Sequence, residues 1–189
     1  MMLVDFLMRY PKNKFEILHF NHGTNCCQES DEFVTDFCVK HGIPLHKDKI
    51  STLRQPNESQ EEYWRNARYA FFAKHSDRMI LMSHHLNDCI ETWIMTALNG
   101  QPKLIPYYNP KYNIIRPLLA TPKTSIKEWL ERHNVPYVFD KSNDDISLRR
   151  NRVRHCMMEH VYAINPGIET TIKKKVVESY RSIAKPECR

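Results

Sequence analysis

Hydrophobic positions in the first hundred residues alternate between short β-prone runs and stretches with helical spacing. Phe15-Glu16-Ile17-Leu18-His19-Phe20 reads as a strand that enters the turn-like Asn21-His22-Gly23-Thr24-Asn25. A helix is expected over Gln28 to His41, because Phe33, Phe37 and Cys38 recur at i, i+4 and i+5 and His41-Gly42 supplies a stop; a strand from Pro44 to Lys49 follows. Beyond a polar loop holding Pro56, Ser59 with Glu62 has the spacing of a capping box and opens a helix to about His75. Met79-Ile80-Leu81-Met82 is apolar throughout and too short for a helix, which suits a strand covered on both faces, and Asn87 to Leu98 returns to helical spacing. Repeated strand–helix units imply an α/β fold, a parallel sheet with helices on both faces. Ligands in such sheets sit at the carboxyl ends of the strands, so Asn21 to Thr24 and Ser83 to Asp88 should line the site.

From Ile114 the alternation ends. Helices are expected over Ser125 to His133, Asn151 to Tyr162 and Ile168 to Ile183, with the acidic turn Asp140-Lys141-Ser142-Asn143-Asp144-Asp145 between the first two. The chain has four glycines, no internal repeat and no low-complexity linker, so no second independent domain is drawn.

Composition supports one ordinary globular unit: 189 residues, 41% hydrophobic and 26% charged, which excludes disordered and fibrous classes. The apolar runs fall far short of the roughly 20 residues that cross a bilayer, and Met1-Met2-Leu3-Val4-Asp5-Phe6-Leu7-Met8-Arg9 lacks the form of a secretory signal. The six cysteines (Cys26, Cys27, Cys38, Cys89, Cys156, Cys188) form no C-x-x-C pair and no zinc spacing, which fits reduced thiols in the cytoplasm. A formal charge of +6 is concentrated late, in Arg149-Arg150-Asn151-Arg152-Val153-Arg154 and Lys173-Lys174-Lys175. A polyanion partner and a plain solubilising surface both account for it.

Three clusters could carry chemistry. In Ser83-His84-His85-Leu86-Asn87-Asp88-Cys89-Ile90-Glu91-Thr92, Asp88 and Glu91 fall three apart on one helical face, able to grip an ammonium group or a metal ion. Alternatively they are first-turn charges that complement the helix dipole. Adjacent histidines on an extended segment point to opposite sides, which disfavours a shared metal. Arg65 and Arg68 share another face, suited to phosphate oxygens, unless Glu61 simply pairs with Arg65 at i, i+4. The arginines from Arg150 to Arg154 open a helix against its dipole and need compensation from a phosphate or a carboxylate such as Asp140.

Taken in order, these clusters resemble the tRNA(Ile)-lysidine synthetase family, a branch of the PP-loop ATP pyrophosphatases. His19-Phe20-Asn21-His22-Gly23 is similar to its H-V-N-H-G turn, Glu61 with Arg65 and Ala67-Arg68-Tyr69 to E-x-x-x-R-x-x-R-Y, and His85-Leu86-Asn87-Asp88-Cys89-Ile90-Glu91-Thr92 to H-L-D-D-x-x-E-T. Arg116-Pro117-Leu118-Leu119 matches R-P-L-L, and Asp140-x-Ser142-Asn143 followed by Arg150-Asn151-x-x-Arg154 is an element that thiolating PP-loop relatives do not share. The resemblance implies a Rossmann-like PP-loop (adenine nucleotide alpha hydrolase-like) α/β unit over 1–120 and a helical extension of the same catalytic unit over 121–189. It implies use of ATP and Mg2+ to adenylate the C2 oxygen of the wobble cytidine of tRNA(Ile) with a CAU anticodon, and then displacement of AMP by free L-lysine. On that basis Asp88, Glu91, Arg150, Asn151 and Arg154 would be catalytic, with Asp88 and Glu91 holding lysine. His19, Asn21, His22, Gly23, His85, Arg65 and Arg68 would serve ATP, and Arg116, Arg149, Arg152, Lys173 and Lys174 would meet tRNA.

Two departures stand out. The family's phosphate loop, S-G-G-x-D-S, does not occur in this sequence, and Asn87 stands where the family has the first aspartate of its pair. The opening segment resembles the helix that follows the loop. An upstream start, a second chain supplying the loop, and a catalytically silent tRNA-binding module on the same fold all remain open.

Overall fold

The computed structural model describes residues 1–10, 12–23, 27–139 and 141–184. Thr24, Asn25, Cys26, Asp140 and Cys188, which figure in the sequence reading, lie outside the described residues.

Helix α1 (Met2–Met8) leads into β1 (Ile17–Asn21), α2 (Cys27–His41) and β2 (Leu45–Lys49), and β1 and β2 pair in parallel from Ile17↔Leu45 to Asn21↔Lys49. Helix α3 (Gln60–Ala73) starts where the sequence places it: the Ser59 hydroxyl accepts the Glu62 N–H at 3.2 Å. Strand β3 (Ile80–Leu81) precedes α4 (Leu86–Ala97). The strands β4 (Tyr108–Asn109) and β5 (Ile114–Ile115) follow, joined by a 3-10 turn over Pro110–Tyr112 that Asn113 closes at φ 50°. Helix α5 (Lys123–Arg132), a 3-10 turn over Lys141–Asp144, α6 (Arg149–Arg152), a π-helical turn over Val153–Met157, α7 (Met158–Ile164) and α8 (Ile168–Ala184) complete the order.

Among the described residues the strands pair in two separate sheets rather than one parallel sheet. Among the described residues β1 pairs only with β2, while β3 pairs in parallel with β5, and β5 pairs antiparallel with β4. The late strands escape the sequence pattern because each is two residues long, too short to show a period. The expected helix over Asn151 to Tyr162 is longer and interrupted: the Met158 N–H reaches back five residues to the Val153 carbonyl, a π-type bond that widens the turn carrying Arg154.

Two apolar clusters hold these pieces. Tyr69, Phe71 and Phe72 of α3 pack with Ile80 and Ile114, and Leu18, Phe20 and Met82 close over them, so β1 meets β3 through side chains. Leu86, Ile90 and Ile94 of α4 pack with Leu119, Val153, Met158, Ile168, Ile172 and Val176, which fixes α4 against the last helices. Each such side chain contributes about 1.5–3 kcal/mol on full burial. Helix α4 is thereby clamped on its apolar face, and its first turn projects toward the end of β3.

No helix among the described residues is long and apolar enough to cross a membrane.

Candidate active site

The turn after β1 is built by its own side chain. Asn21 Oδ1 accepts the Gly23 N–H at 2.7 Å, and the Asn21 carbonyl takes the Ile50 N–H at 2.9 Å. Gly23 sits at φ 72°, where a Cβ would also come within 3.1 Å of Ile50 Cγ2. The His22 ring lies 5.8 Å from the Trp64 ring, which sets this turn beside α3.

A cleft of about 470 Å³ opens between β1 and β3, lined by Leu18, Arg68, Leu81, His84, His85 and Asp88 among others. Its charges are unbalanced. Arg68 is partly buried, its Nε has no hydrogen-bond partner, and no carboxylate among the described residues forms an ion pair with it. Burial pushes this guanidinium below its ordinary value, and Arg65, Arg150 and Arg116 add to the effect. His84 Nδ1 is likewise buried without a partner. Burial, reinforced by Arg116, Arg150 and Arg68 against the opposing pull of Asp88, lowers its pKa to about 4, so the ring is neutral near pH 7. An open cleft with an unanswered cation suits a bound anion.

The first turn of α4 supplies the acids. His85 is the N-cap: its Nδ1 faces the Asp88 N–H at 3.4 Å, and Asp88 Oδ2 accepts the His85 N–H at 2.8 Å. Burial holds His85 below its ordinary pKa. Behind Asp88, Glu91 is 3% exposed, with both oxygens engaged. Arg150 Nε donates to its Oε2 at 2.8 Å, and Arg154 donates through Nε to Oε1 at 2.8 Å and through Nη2 to Oε2 at 3.0 Å. Arg150 Nη2 also reaches Asp88 Oδ1 at 3.2 Å, and the Arg150 backbone N–H reaches Glu61 Oε1 at 3.1 Å. Although burial opposes it, the bonds to Glu91 hold Arg154 above its ordinary pKa. Asn151, 6% exposed, donates to the carbonyls of Ser142 at 2.8 Å and Asp145 at 3.0 Å, and Arg154 Nη1 meets Asn143 Oδ1 at 3.2 Å.

The structure thus brings together Asp88, Glu91, Arg150, Asn151 and Arg154, with Arg68 and His85 at the adjoining cleft. Several readings of the sequence change. The compensation of the arginines comes from Glu91 and Asp88; Asp140 lies outside the described residues. Glu91 is not open to an incoming ammonium, because two guanidiniums already occupy its oxygens. Arg116 is no surface contact for tRNA: it is 2% exposed and donates to the Pro106 carbonyl and to Tyr69 Oη. His19 lies 3.2 Å from Asp31 Oδ1, on the opposite face of β1 from the cleft-lining Leu18, since successive strand residues alternate. Glu61 serves Arg150 and makes no ion pair with Arg65, which instead lies over the Tyr69 ring at 4.6 Å. Arg149, Arg152, Lys173 and Lys174 are exposed. The sequence places His84 only within the lining segment Ser83 to Asp88 and gives it no role of its own; it lies three residues past the carboxyl end of β3, on the cleft.

Residues 1–161 match the PP-loop domain family. The chain belongs to the PP-loop family. It is similar to the tRNA(Ile)-lysidine synthase of Persephonella marina, 32% identical over 182 residues that cover 90% of this chain and 40% of that protein. The enzyme of the same name from Thermotoga maritima is 29% identical over 175 residues, covering 87% and 42%, and that from Staphylococcus aureus is 35% identical over 157 residues, covering 75% and 36%. The chain spans about two fifths of the length of the curated relatives it matches. A PP-loop domain carries with it the use of ATP.

Proposed function

We propose that this chain is the catalytic part of a cytoplasmic ATP-dependent ligase that forms lysidine in tRNA(Ile) bearing a CAU anticodon. The observation that carries this reading is the cleft itself, where an unpaired cation, Arg68, and an acid, Asp88, face the same space. Phosphates suit the first and a lysine ammonium the second. In the reaction proposed, the C2 oxygen of cytidine attacks the α-phosphorus of ATP and pyrophosphate leaves; the lysine ε-amine then attacks C2, loses its proton, and AMP departs with the oxygen.

Arg68 and Arg65 would bind phosphate oxygens, with the Asn21–Gly23 turn and His85 bordering the nucleotide. Asp88 would hold and orient the lysine. Glu91, with both oxygens taken, would fix Arg150 and Arg154, and Asn151 would pin the preceding loop to the helix that carries them. Mg2+, when bound, would supply charge that neutralises the leaving pyrophosphate. The exposed Arg149, Arg152, Lys173 and Lys174 would meet the tRNA backbone. Residues 1–120 would then form the nucleotide-binding unit and 121–189 its helical extension. The edges of β1 and β3 that have no strand partner among the described residues flank the cleft, a position suited to a strand bearing S-G-G-x-D-S, in this polypeptide or in a second chain.

The deciding assay is a single turnover with ATP, Mg2+, labelled lysine and tRNA(Ile), run with this chain alone and with a segment bearing S-G-G-x-D-S. Lysine label in tRNA under either condition supports the ligase. Label under neither, with tRNA still bound, replaces it with a silent tRNA-binding module.

A further inference from the structure

Asn87 immediately precedes Asp88 and is tied directly to two other helices and to a third through Tyr162. Its Oδ1 accepts the Lys123 N–H at 2.8 Å. That N–H opens α5, whose N-cap is Pro122 and provides no capping side chain, so Asn87 caps α5 from a different helix. Because the partner there is a donor, the amide oxygen faces α5 and the amide nitrogen faces the other way. Asn87 Nδ2 donates to Tyr162 Oη at 3.3 Å, and Tyr162 Oη donates to Glu169 Oε1 at 3.1 Å. Tyr162 belongs to α7 and Glu169 to the first turn of α8.

The polarity of this chain is set at both ends, by a backbone N–H and by a carboxylate. The one phenolic proton goes to Glu169, so Tyr162 can meet position 87 only as an acceptor. Burial, with the charge and hydrogen bond of Glu169, pushes the phenol up to about 12, which keeps its proton in place.

We propose that the Asn87 amide is a positioning group for the Asp88 turn, and that Asn87 and Glu169 are a matched pair coupled through Tyr162, an amide at one end requiring an acid at the other. The positioning role rests on the reading of Asp88 as the lysine-facing acid. An acid at position 87 still accepts the Lys123 N–H, but it sets two carboxylates against one phenolic proton, so only one of the two can be paired across Tyr162. Reversing both ends restores the sequence of donors at unchanged net charge: after Asn87→Asp with Glu169→Gln, the new amide donates to Tyr162 and Tyr162 donates to the new carboxylate.

The test measures thermal unfolding and lysine-dependent single turnover for Asn87→Asp, Glu169→Gln and the double variant, each also in a Tyr162→Phe background. Each single substitution should lower Tm by about 2–4 °C and raise the lysine concentration for half-maximal rate roughly tenfold. The double variant should recover both, and with Tyr162→Phe the two effects should become additive. Additive losses with Tyr162 present overturn the pairing. Recovery of Tm without recovery of lysine dependence overturns the positioning role, as does an Asn87→Asp effect on lysine that persists unchanged in the double variant, the behaviour of a bare charge beside Asp88. Turnover is measured with the segment bearing S-G-G-x-D-S present, and unfolding needs no turnover: a wild-type chain that uses no lysine either alone or with that segment sinks the ligase reading and the positioning role, while Tm still decides the pairing.

Discussion

Arg154 grips Glu91 with two parallel donors, Nε to Oε1 at 2.8 Å and Nη2 to Oε2 at 3.0 Å, and the π-helical turn over Val153–Met157 carries this arginine. A forked pair of this kind is short, directional and hard to replace. Arg150 shares the same carboxylate, so one buried acid fixes two guanidiniums.

Glu91→Gln should therefore cost about 3 kcal/mol of stability, toward the low end for a broken buried pair because Arg150 and Arg154 keep some solvent contact. Urea unfolding of the variant checks this. A loss below about 0.5 kcal/mol, the size of an ordinary surface substitution, would show that the acid does not organise the site.

Arg68 should behave in the opposite way. A partly buried guanidinium without a carboxylate is a cost to the folded state, so Arg68→Met is expected to leave stability unchanged or raise it. The same change should weaken binding of inorganic pyrophosphate at least roughly tenfold, the worth of about one charge-assisted hydrogen bond. Calorimetric titration beside urea unfolding separates the two effects; lost stability with unchanged binding would place Arg68 in the architecture alone.

The contrast between Arg68 and Arg116 marks how far the sequence could be read. Motif spacing located the cleft, since strand-end positions such as His85 and Asp88 follow from the alternation of short apolar runs and helical stretches. It could not separate Arg116 from Arg149, because only burial distinguishes a guanidinium enclosed by Tyr69 and Pro106 from one in solvent. The i, i+3 relation of Asp88 and Glu91 was legible, yet the two acids differ in role: Asp88 caps its helix at the cleft, and Glu91 is enclosed by arginines fifty-nine and sixty-three residues away. The two-residue strands β4 and β5 and the π turn left no periodic trace, being set by pairing and packing across the fold.

Gly23→Ala should cost about 1–3 kcal/mol, the usual range for strain at one left-handed position, since φ is 72° and the added methyl would meet Ile50 Cγ2 at 3.1 Å. Thermal unfolding reads this directly. A Gly23→Ala chain of unchanged Tm would mean that the Asn21–Gly23 turn readily takes another form.

Replacing Arg149, Arg152, Lys173 and Lys174 by alanine should weaken tRNA binding and flatten its salt dependence, by up to about 0.9 in the log–log slope for each phosphate that is no longer neutralised. Arg116→Ala should instead lower Tm and leave the salt slope of the folded protein unaltered, because its guanidinium is buried. Filter binding over a salt series distinguishes them, and an equal slope change from Arg116→Ala would mean that this arginine reaches the ligand after all.

His84 gives the chain a pH dependence whose sign can be worked out. Its folded-state pKa is lowered to about 4 from 6.5, so between those values the unfolded chain binds more protons than the folded one. Stability from this group is complete above about pH 6.5 and is lost as pH falls toward 4, at up to roughly 1.4 kcal/mol per pH unit. His84→Gln should flatten that slope in urea unfolding measured from pH 7 to pH 4. A phosphate ligand in the cleft favours the charged ring, so the affinity of the native protein for pyrophosphate should rise relative to that of His84→Gln as pH falls through the same window, the ligand's own protonation being common to both. A pH slope unchanged by the substitution would assign the titration to another group.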